Sequence, residues 1–300
     1  MQKLLVVIAG PTAVGKTDLC VRLAQILDTE IVSADSRQFY QELNIGTAKP
    51  TLSERGGIRH HFIDSHTIEE LYSAGAFERD ALAVLDKIFE TKNVAILTGG
   101  SGLYIKAVCE GLDNLPDTPP ELRTELMKQL QTEGLSKLQN QLRQLDPIYC
   151  AHNDLQNTQR VVRALEVCLM TGQPFSSFRE KKTALRPFRI LSFALERDRT
   201  ELYQRIDQRM DKMLEGGLLE EVASLKPYRN HNALQTVGYK EVFDFFDGLY
   251  DYDEMVRLLK RNSRRYAKRQ MTWFKNQGQF QWVSADDLRY ILSCIKAHQT

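Results

Sequence analysis

Residues 10–17 read Gly10-Pro11-Thr12-Ala13-Val14-Gly15-Lys16-Thr17, the G-x-x-x-x-G-K-[ST] spacing of a phosphate-binding loop. Its surroundings support the pattern. Leu4-Leu5-Val6-Val7-Ile8-Ala9 precedes it, a short apolar run that predicts a buried parallel strand. Leu19, Leu23, Ile26 and Leu27 follow at helical spacing. Gly10 and Gly15 let the backbone bring its N–H groups close to an anion, and the opening turn of the helix adds unpartnered N–H groups. Lys16 supplies a full charge, and Thr17 offers a hydroxyl to a magnesium ion. The stretch predicts a di- or triphosphate site in a P-loop NTPase-like α/β fold, a parallel sheet flanked by helices. It does not say which phosphate compound binds.

Working outward, Ile31-Val32 predicts a second short strand, with Asp35 just past its carboxyl end. Ligands of open parallel sheets bind outside those ends, so Asp35 is expected to share a crevice with the Lys16 loop. A carboxylate there can act as a base, hold a magnesium water, or only cap a helix. Residues 72–90 predict a helix, and 94–97 a third buried strand. That strand runs into Thr98-Gly99-Gly100-Ser101-Gly102-Leu103-Tyr104, which lacks the acidic residue a motor ATPase would place there for magnesium. Its glycines permit either close ligand approach or tight helix packing. The adjacent His60 and His61 lack a supporting cysteine or carboxylate cluster and read as packing or hydrogen-bonding groups, not a zinc site.

Three hundred residues, 42% hydrophobic, suffice for one large or two smaller domains, and the net charge of +1 gives no global attraction to nucleic acid. The five cysteines are odd in number and lack a C-x-x-C pair, which points to reduced thiols in the cytoplasm. The first residues enter a core strand directly, so no signal peptide is expected. No apolar run approaches the roughly 18 residues of a membrane span.

Composition shifts at Leu115-Pro116-Asp117-Thr118-Pro119-Pro120. Residues 121–145 read as helical, and Asn153-Asp154 is expected to cap a helix running to Met170 and closed by Gly172. The organisation expected is therefore a catalytic core of 1–115 plus 186–300, interrupted by an all-helical insertion at 116–185. A strand at 189–195 leads to a helix at 200–215, whose Arg205 and Arg209 stand one turn apart. Further on, 257–275 holds eight cations and no acidic residue. Arg261, Arg264, Arg265 and Lys268 fall on one helical stripe there, with Tyr266, Trp273 and Phe274 adjacent. Clustered cations with aromatics suit an RNA backbone and unpaired bases, against the plainer reading of a solvated surface helix.

Several stretches together resemble the bacterial tRNA dimethylallyltransferase family. They are the loop 10–17, Ser33-Ala34-Asp35-Ser36-Arg37-Gln38, Asn44-Ile45-Gly46-Thr47-Ala48-Lys49-Pro50, Tyr72-Ser73-Ala74-Gly75-Ala76-Phe77, Gly99-Gly100-Ser101-Gly102-Leu103-Tyr104, Gln159-Arg160-Val161-Val162-Arg163-Ala164-Leu165-Glu166, and Tyr266-Ala267-Lys268-Arg269-Gln270-Met271-Thr272-Trp273-Phe274. They span nearly the whole chain. The resemblance implies transfer of a dimethylallyl group from dimethylallyl diphosphate to N6 of the adenosine 3′ of the anticodon, position 37 of tRNA. Residues 10–17 with Arg160 and Arg209 would hold the diphosphate, aided by Mg2+ on Thr17. Asp35 would be the base and Ser101 its hydroxyl partner, with Lys16 and Thr17 assisting. Asp35, Ser36, Arg37, Gln38, Ser101, Arg123, Gln159, Arg160, Val161, Val162 and Arg163 would contact tRNA. A cytoplasmic monomer is implied. The family usually has threonine where Ser101 stands and proline where Arg59 stands. A small-molecule or nucleoside kinase is the alternative, using the same loop for ATP; the cationic stripe argues against it.

Overall fold

The computed structural model describes residues 2–179 and 183–299. The expected units reach positions 1, 180–182 and 300, which lie outside the described residues. The chain divides into two compact units, Met1–Glu110 with Leu185–Thr300, and Gly111–Ala184.

The first unit is built on six strands, β1 (Leu4–Ala9), β2 (Ile31–Ser33), β3 (His60–His61), β4 (Val94–Gly99), β5 (Arg189–Glu196) and β6 (Gln281–Ser284). They form one parallel sheet in the order β3-β2-β4-β1-β5-β6. β1 lies between β4 and β5, with Leu4 opposite both Val94 and Arg189. Every residue of β1 is buried, which explains its unbroken apolar run: a central parallel strand has no solvent face. Leu4, Val6 and Ile8 pack on one side with Leu19 and Leu23, and Leu5, Val7 and Ala9 on the other with Phe77, Ala81 and Leu85. The alternation is the two-residue period of a strand.

The helices in chain order are α1 (Lys16–Leu27), α2 (Ala74–Thr91), α3 (Gly102–Glu110), α4 (Pro120–Glu133), α5 (Leu135–Leu145), α6 (Pro147–His152), α7 (Thr158–Thr171), α8 (Arg199–Glu215), α9 (Leu218–Ser224), α10 (Tyr239–Phe246), α11 (Tyr252–Asn276) and α12 (Leu288–Gln299). α4 to α7 make up the second unit, around Leu126, Leu138, Leu142, Val161 and Leu165. α8 to α11 gather a further core around Met210, Leu218, Tyr239 and Leu259.

Two expectations are corrected. The helical stretch 121–145 is two helices, because Gly134 adopts φ 80° and breaks the run. The cap of α7 is Asn157, whose side chain accepts from the Arg160 N–H, and not Asn153-Asp154; Asn153 closes the short α6 instead. Gly172 does end α7, in the left-handed conformation. His60 and His61 form a short strand and act as hydrogen-bonding groups, as expected: His60 Nδ1 lies 2.9 Å from the Ile58 carbonyl oxygen, and His61 Nε2 lies 2.6 Å from a carboxylate oxygen of Glu30.

Candidate active site

β1 delivers the chain directly into the phosphate loop. Gly10 at φ 151° and Gly15 at φ 111° hold backbone conformations that L side chains rarely adopt. Lys16 opens α1 and folds its ammonium back over the loop, donating to the Gly10 carbonyl at 3.0 Å and the Pro11 carbonyl at 2.8 Å. Burial pulls its pKa down from 10.5 to about 8, while Asp35 draws it up and Arg209 pushes it further down. Thr17 follows, exposed at the first turn.

Three arginines hold the loop. Arg209 of α8 donates to the Thr12 hydroxyl at 3.2 Å and to the Thr47 carbonyl at 3.4 Å. Burial lowers its pKa and Asp35 opposes that. Arg205 binds the Ala13 carbonyl at 2.9 Å, and Arg197 the Val14 carbonyl at 2.8 Å. Arg205 and Arg209 thus sit on opposite jobs: one braces the loop's backbone, the other stands over Thr12 within the field of Asp35.

Asp35 follows the end of β2, half-buried, and accepts the Arg37 N–H at 3.0 Å. Its charge is felt by Lys16, Arg209, Tyr104 and Tyr266, which puts the carboxylate within electrostatic reach of the phosphate loop. Ser101 is brought beside it: the Ser101 hydroxyl accepts the Ser36 N–H at 3.0 Å and donates to the Ser36 hydroxyl at 3.1 Å. A cavity of about 390 Å³ opens next to this turn, lined by Ser36, Arg37, Lys240, Tyr266 and Arg269 among others. Arg269 lies over the Tyr266 ring, 5.7 Å from its centroid. The pocket side of α10 has no signal in the sequence, since nothing in 235–241 carries a local motif.

The glycine turn resolves in favour of packing. A Cβ on Gly99 would stand 2.2 Å from the Ala34 carbonyl oxygen, on Gly100 2.2 Å from Gln270 Nε2, and on Gly102 2.2 Å from the Trp273 ring. The turn is pressed between β2 and α11. Gln38 is also engaged internally, donating to the Thr47 and Ala48 carbonyls. Those carbonyls belong to the 44–49 loop, whose N–H groups at Asn44, Ile45 and Gly46 all end on the Glu221 carboxylate.

The sequence model of the IPP transferase family matches residues 38–277. The chain belongs to this family. It is 50% identical to the tRNA dimethylallyltransferase of Cytophaga hutchinsonii, covering 99% of this chain and 98% of that one. Tn the tRNA dimethylallyltransferase 1 of Bacteroides fragilis it is 44% identical, with 98% of each chain covered. Among solved structures, the full-length tRNA isopentenylpyrophosphate transferase of Bacillus halodurans superposes with a TM-score of 0.72 at 37% identity, covering 100% of this chain and 96% of that one. A eukaryotic dimethylallyltransferase described as acting on tRNA gives 0.78 at 29% identity, over 99% of this chain and 77% of that one.

In this IPP transferase family member, the remaining expected residues divide by unit. The loop 10–17, Asp35 to Gln38, Ser101 and Arg209 lie in the first unit; Arg123, Gln159, Arg160, Val161, Val162 and Arg163 lie in the second. Val161 and Val162 are fully buried and offer RNA no side chain, whereas Gln159 and Arg160 are exposed. α7 places both valines on its apolar face by the helical period. On α11 the expected stripe is uneven. Arg264 is held bidentate by Asp207 and Arg261 bonds Asn262, while Arg265 and Lys268 are exposed. Among the described residues there is no cluster of three His, Cys, Asp or Glu that could hold a metal, and no helix is long and apolar enough to cross a membrane.

Proposed function

We propose that this IPP transferase family member moves the dimethylallyl group of dimethylallyl diphosphate to N6 of the adenosine at position 37 of tRNA, releasing diphosphate. The observation that carries the reading is the pairing of a phosphate loop with Asp35, whose charge reaches both Lys16 and Arg209. A leaving group and a base are thereby offered to one crevice.

In the reaction, the N6–C1 bond of the product forms as the C1–O bond to diphosphate breaks. The amine nitrogen is a weak nucleophile, because its lone pair is delocalised into the purine. Asp35 takes the N6 proton as the bond forms. Ser101 holds the Asp35 turn through Ser36 and keeps the carboxylate aimed. The diphosphate accumulates charge as it leaves, and Lys16, Arg209 and the N–H groups at the start of α1 meet that charge without rearranging. Lys16 exchanges its two carbonyl partners for phosphate oxygens as the diphosphate binds, before that charge develops.

Magnesium fits the donor set in one way. With no metal-binding cluster of acidic or imidazole groups among the described residues, the ion would rest on the Thr17 hydroxyl and on the substrate's own phosphate oxygens, the open arrangement that Mg2+ favours. When bound it neutralises part of the leaving charge. Stacked bases in a helix cannot reach such a crevice, so the adenosine enters extruded from the anticodon loop. The cationic face of α11 and the surface arginines of α4 and α7 bind the RNA backbone. We read the protein as a cytoplasmic monomer that carries both compact units to the tRNA, the helical unit serving as an RNA-binding insertion.

Incubation with labelled dimethylallyl diphosphate and unmodified tRNA tests the reading. Label is expected on the RNA, at a single adenosine. ATP consumption with a small acceptor, and no label on RNA, would replace the reading with a kinase.

A further inference from the structure

Gln270 is the most enclosed polar group on the long cationic helix, 7% exposed. Its amide is used at both ends. Oε1 accepts the Thr12 N–H of the phosphate loop at 2.9 Å, and Nε2 donates to the Gly100 carbonyl at 3.0 Å. From Gly100 the chain passes to Ser101, whose hydroxyl accepts from Ser36, the neighbour of Asp35. A continuous path therefore runs from the phosphate loop to the base: Thr12, Gln270, Gly100, Ser101, Ser36, Asp35.

Nothing about a phosphate loop requires this. Loop N–H groups ordinarily face the anion, yet the one at Thr12 is committed to a side chain 258 positions away. The turn has given up every Cβ that would obstruct the contact: a methyl on Gly100 would meet Gln270 Nε2 at 2.2 Å, and one on Gly102 would meet the Trp273 ring. Ser263, Ala267 and Phe274 are buried on the same side of α11 as Gln270, so the amide is delivered by a face already fixed by packing. A primary amide accepts through its oxygen and donates through its nitrogen at once; a carboxylate at neutral pH only accepts.

We propose that Gln270 is a positioning residue, locking the phosphate loop to the Ser101–Asp35 turn and so setting the separation between the leaving diphosphate and the attacking amine. The proposal rests on the transferase reading above. Its physical basis is the steep dependence of rate on alignment, where about 1 Å of misplacement costs about 10²-fold. Gln270 touches neither substrate, so its loss is expected in turnover and not in RNA affinity.

The test uses the full chain with Gln270→Met, which keeps volume and loses both hydrogen bonds, and Gln270→Glu, which keeps only the acceptor. For Gln270→Met, kcat is expected to fall ~10²-fold, with the KM for tRNA within about twofold. Hydrogen exchange at the Thr12 amide is expected to accelerate in the Met variant and to stay slow in the Glu variant. A Gly100→Ala variant should be unstable alone and regain its fold when combined with Gln270→Ala, without regaining turnover. Unchanged kcat in a folded Met variant, or a loss matched by weakened tRNA binding, would overturn the proposal. Unchanged exchange at Thr12 would overturn it even if the wild type transferred nothing, an outcome that would separately remove the transferase reading.

Discussion

The Ser101 hydroxyl and the Ser36 backbone N–H meet at 3.0 Å, joining the turn after β4 to the turn after β2 across 65 residues of sequence. Asp35 is the residue immediately before that anchor, and its own carboxylate braces the next N–H, at Arg37. The candidate base is therefore held by two short turns rather than by a buried ion pair. This arrangement leaves the carboxylate half-exposed, open to the proton of an approaching amine.

Two substitutions separate the base from its support. Asp35→Ala is expected to lower turnover by ~10²–10⁴-fold, the scale of losing a general base, while binding of inorganic diphosphate survives. Ser101→Ala removes an acceptor but no charge, so a smaller loss of about tenfold is expected, of the order of one hydrogen bond. Ser101→Thr should restore the rate. Single-turnover kinetics on tRNA measures all three; an Asp35→Ala enzyme at wild-type speed would remove this carboxylate from the chemistry.

Lys16 gives the site a pH signature. Burial lowers its pKa from 10.5 to about 8, so the free protein loses this charge as pH rises through 8. Diphosphate binding needs the charge, and affinity is expected to be level below pH 8 and to weaken above it. Binding at pH 8–9 should take up a proton. The stability sign runs the other way: the unfolded chain holds the proton more tightly, so the cost of burying the ammonium is present below 8 and fades as pH rises toward 10.5. Calorimetry in buffers of different ionisation enthalpy measures the uptake, and Lys16→Met should abolish it.

What could be read from residues alone follows the range of the interactions. The phosphate loop announces itself because strand, loop and helix are consecutive and each obeys its own period. Asp35 is legible because strand ends in parallel sheets are where ligands sit. Gln270 and Trp273 are not, since their partners Gly100 and Gly102 lie some 170 residues away and only the fold brings them within reach. β6 leaves no periodic signal in the sequence because Gln281–Ser284 is a short edge strand with one buried residue. Asn157 and Asn153-Asp154 are equally good caps on paper; the short α6, seeded by Asp146 and Pro147, uses up the earlier positions.

The cationic stripe of α11 divides into two kinds of residue. Arg265 and Lys268 are exposed, whereas Arg264 is committed to Asp207 at 2.5 and 2.7 Å. Arg265→Ala and Lys268→Ala are each expected to weaken tRNA binding and to flatten the slope of log K against log salt by about 1. Arg264→Ala breaks a partly exposed pair worth roughly 0–1 kcal/mol and should leave the slope nearly unchanged. Filter binding across a salt series distinguishes them, and identical slopes for all three would discredit the division.

Glu166 sets the last prediction. It is 1% exposed on α7, and its two oxygens take different arginines: Arg123 at 2.8 Å and Arg163 at 3.2 Å. Arg123 is steadied further by Gln159 at 2.6 Å, and Arg163 by the Thr118 hydroxyl at 2.8 Å and the Pro116 carbonyl at 3.1 Å. One buried carboxylate thus fixes two half-exposed guanidinium groups, which otherwise would sample many rotamers before meeting a phosphate. Glu166→Gln leaves a neutral amide that can accept from only one of them through its single oxygen. A destabilisation of about 1–3 kcal/mol is expected from the unmet partner, together with several-fold weaker tRNA binding and unchanged kcat at saturating tRNA. Arg123→Ala should destabilise more than the double variant Arg123→Ala/Glu166→Gln does, because the single change leaves a buried charge with less compensation. If tRNA affinity holds in every one of these variants while stability falls, the trio serves only to join α4 to α7, and the RNA contacts of the helical unit must be sought at Gln159 and Arg160.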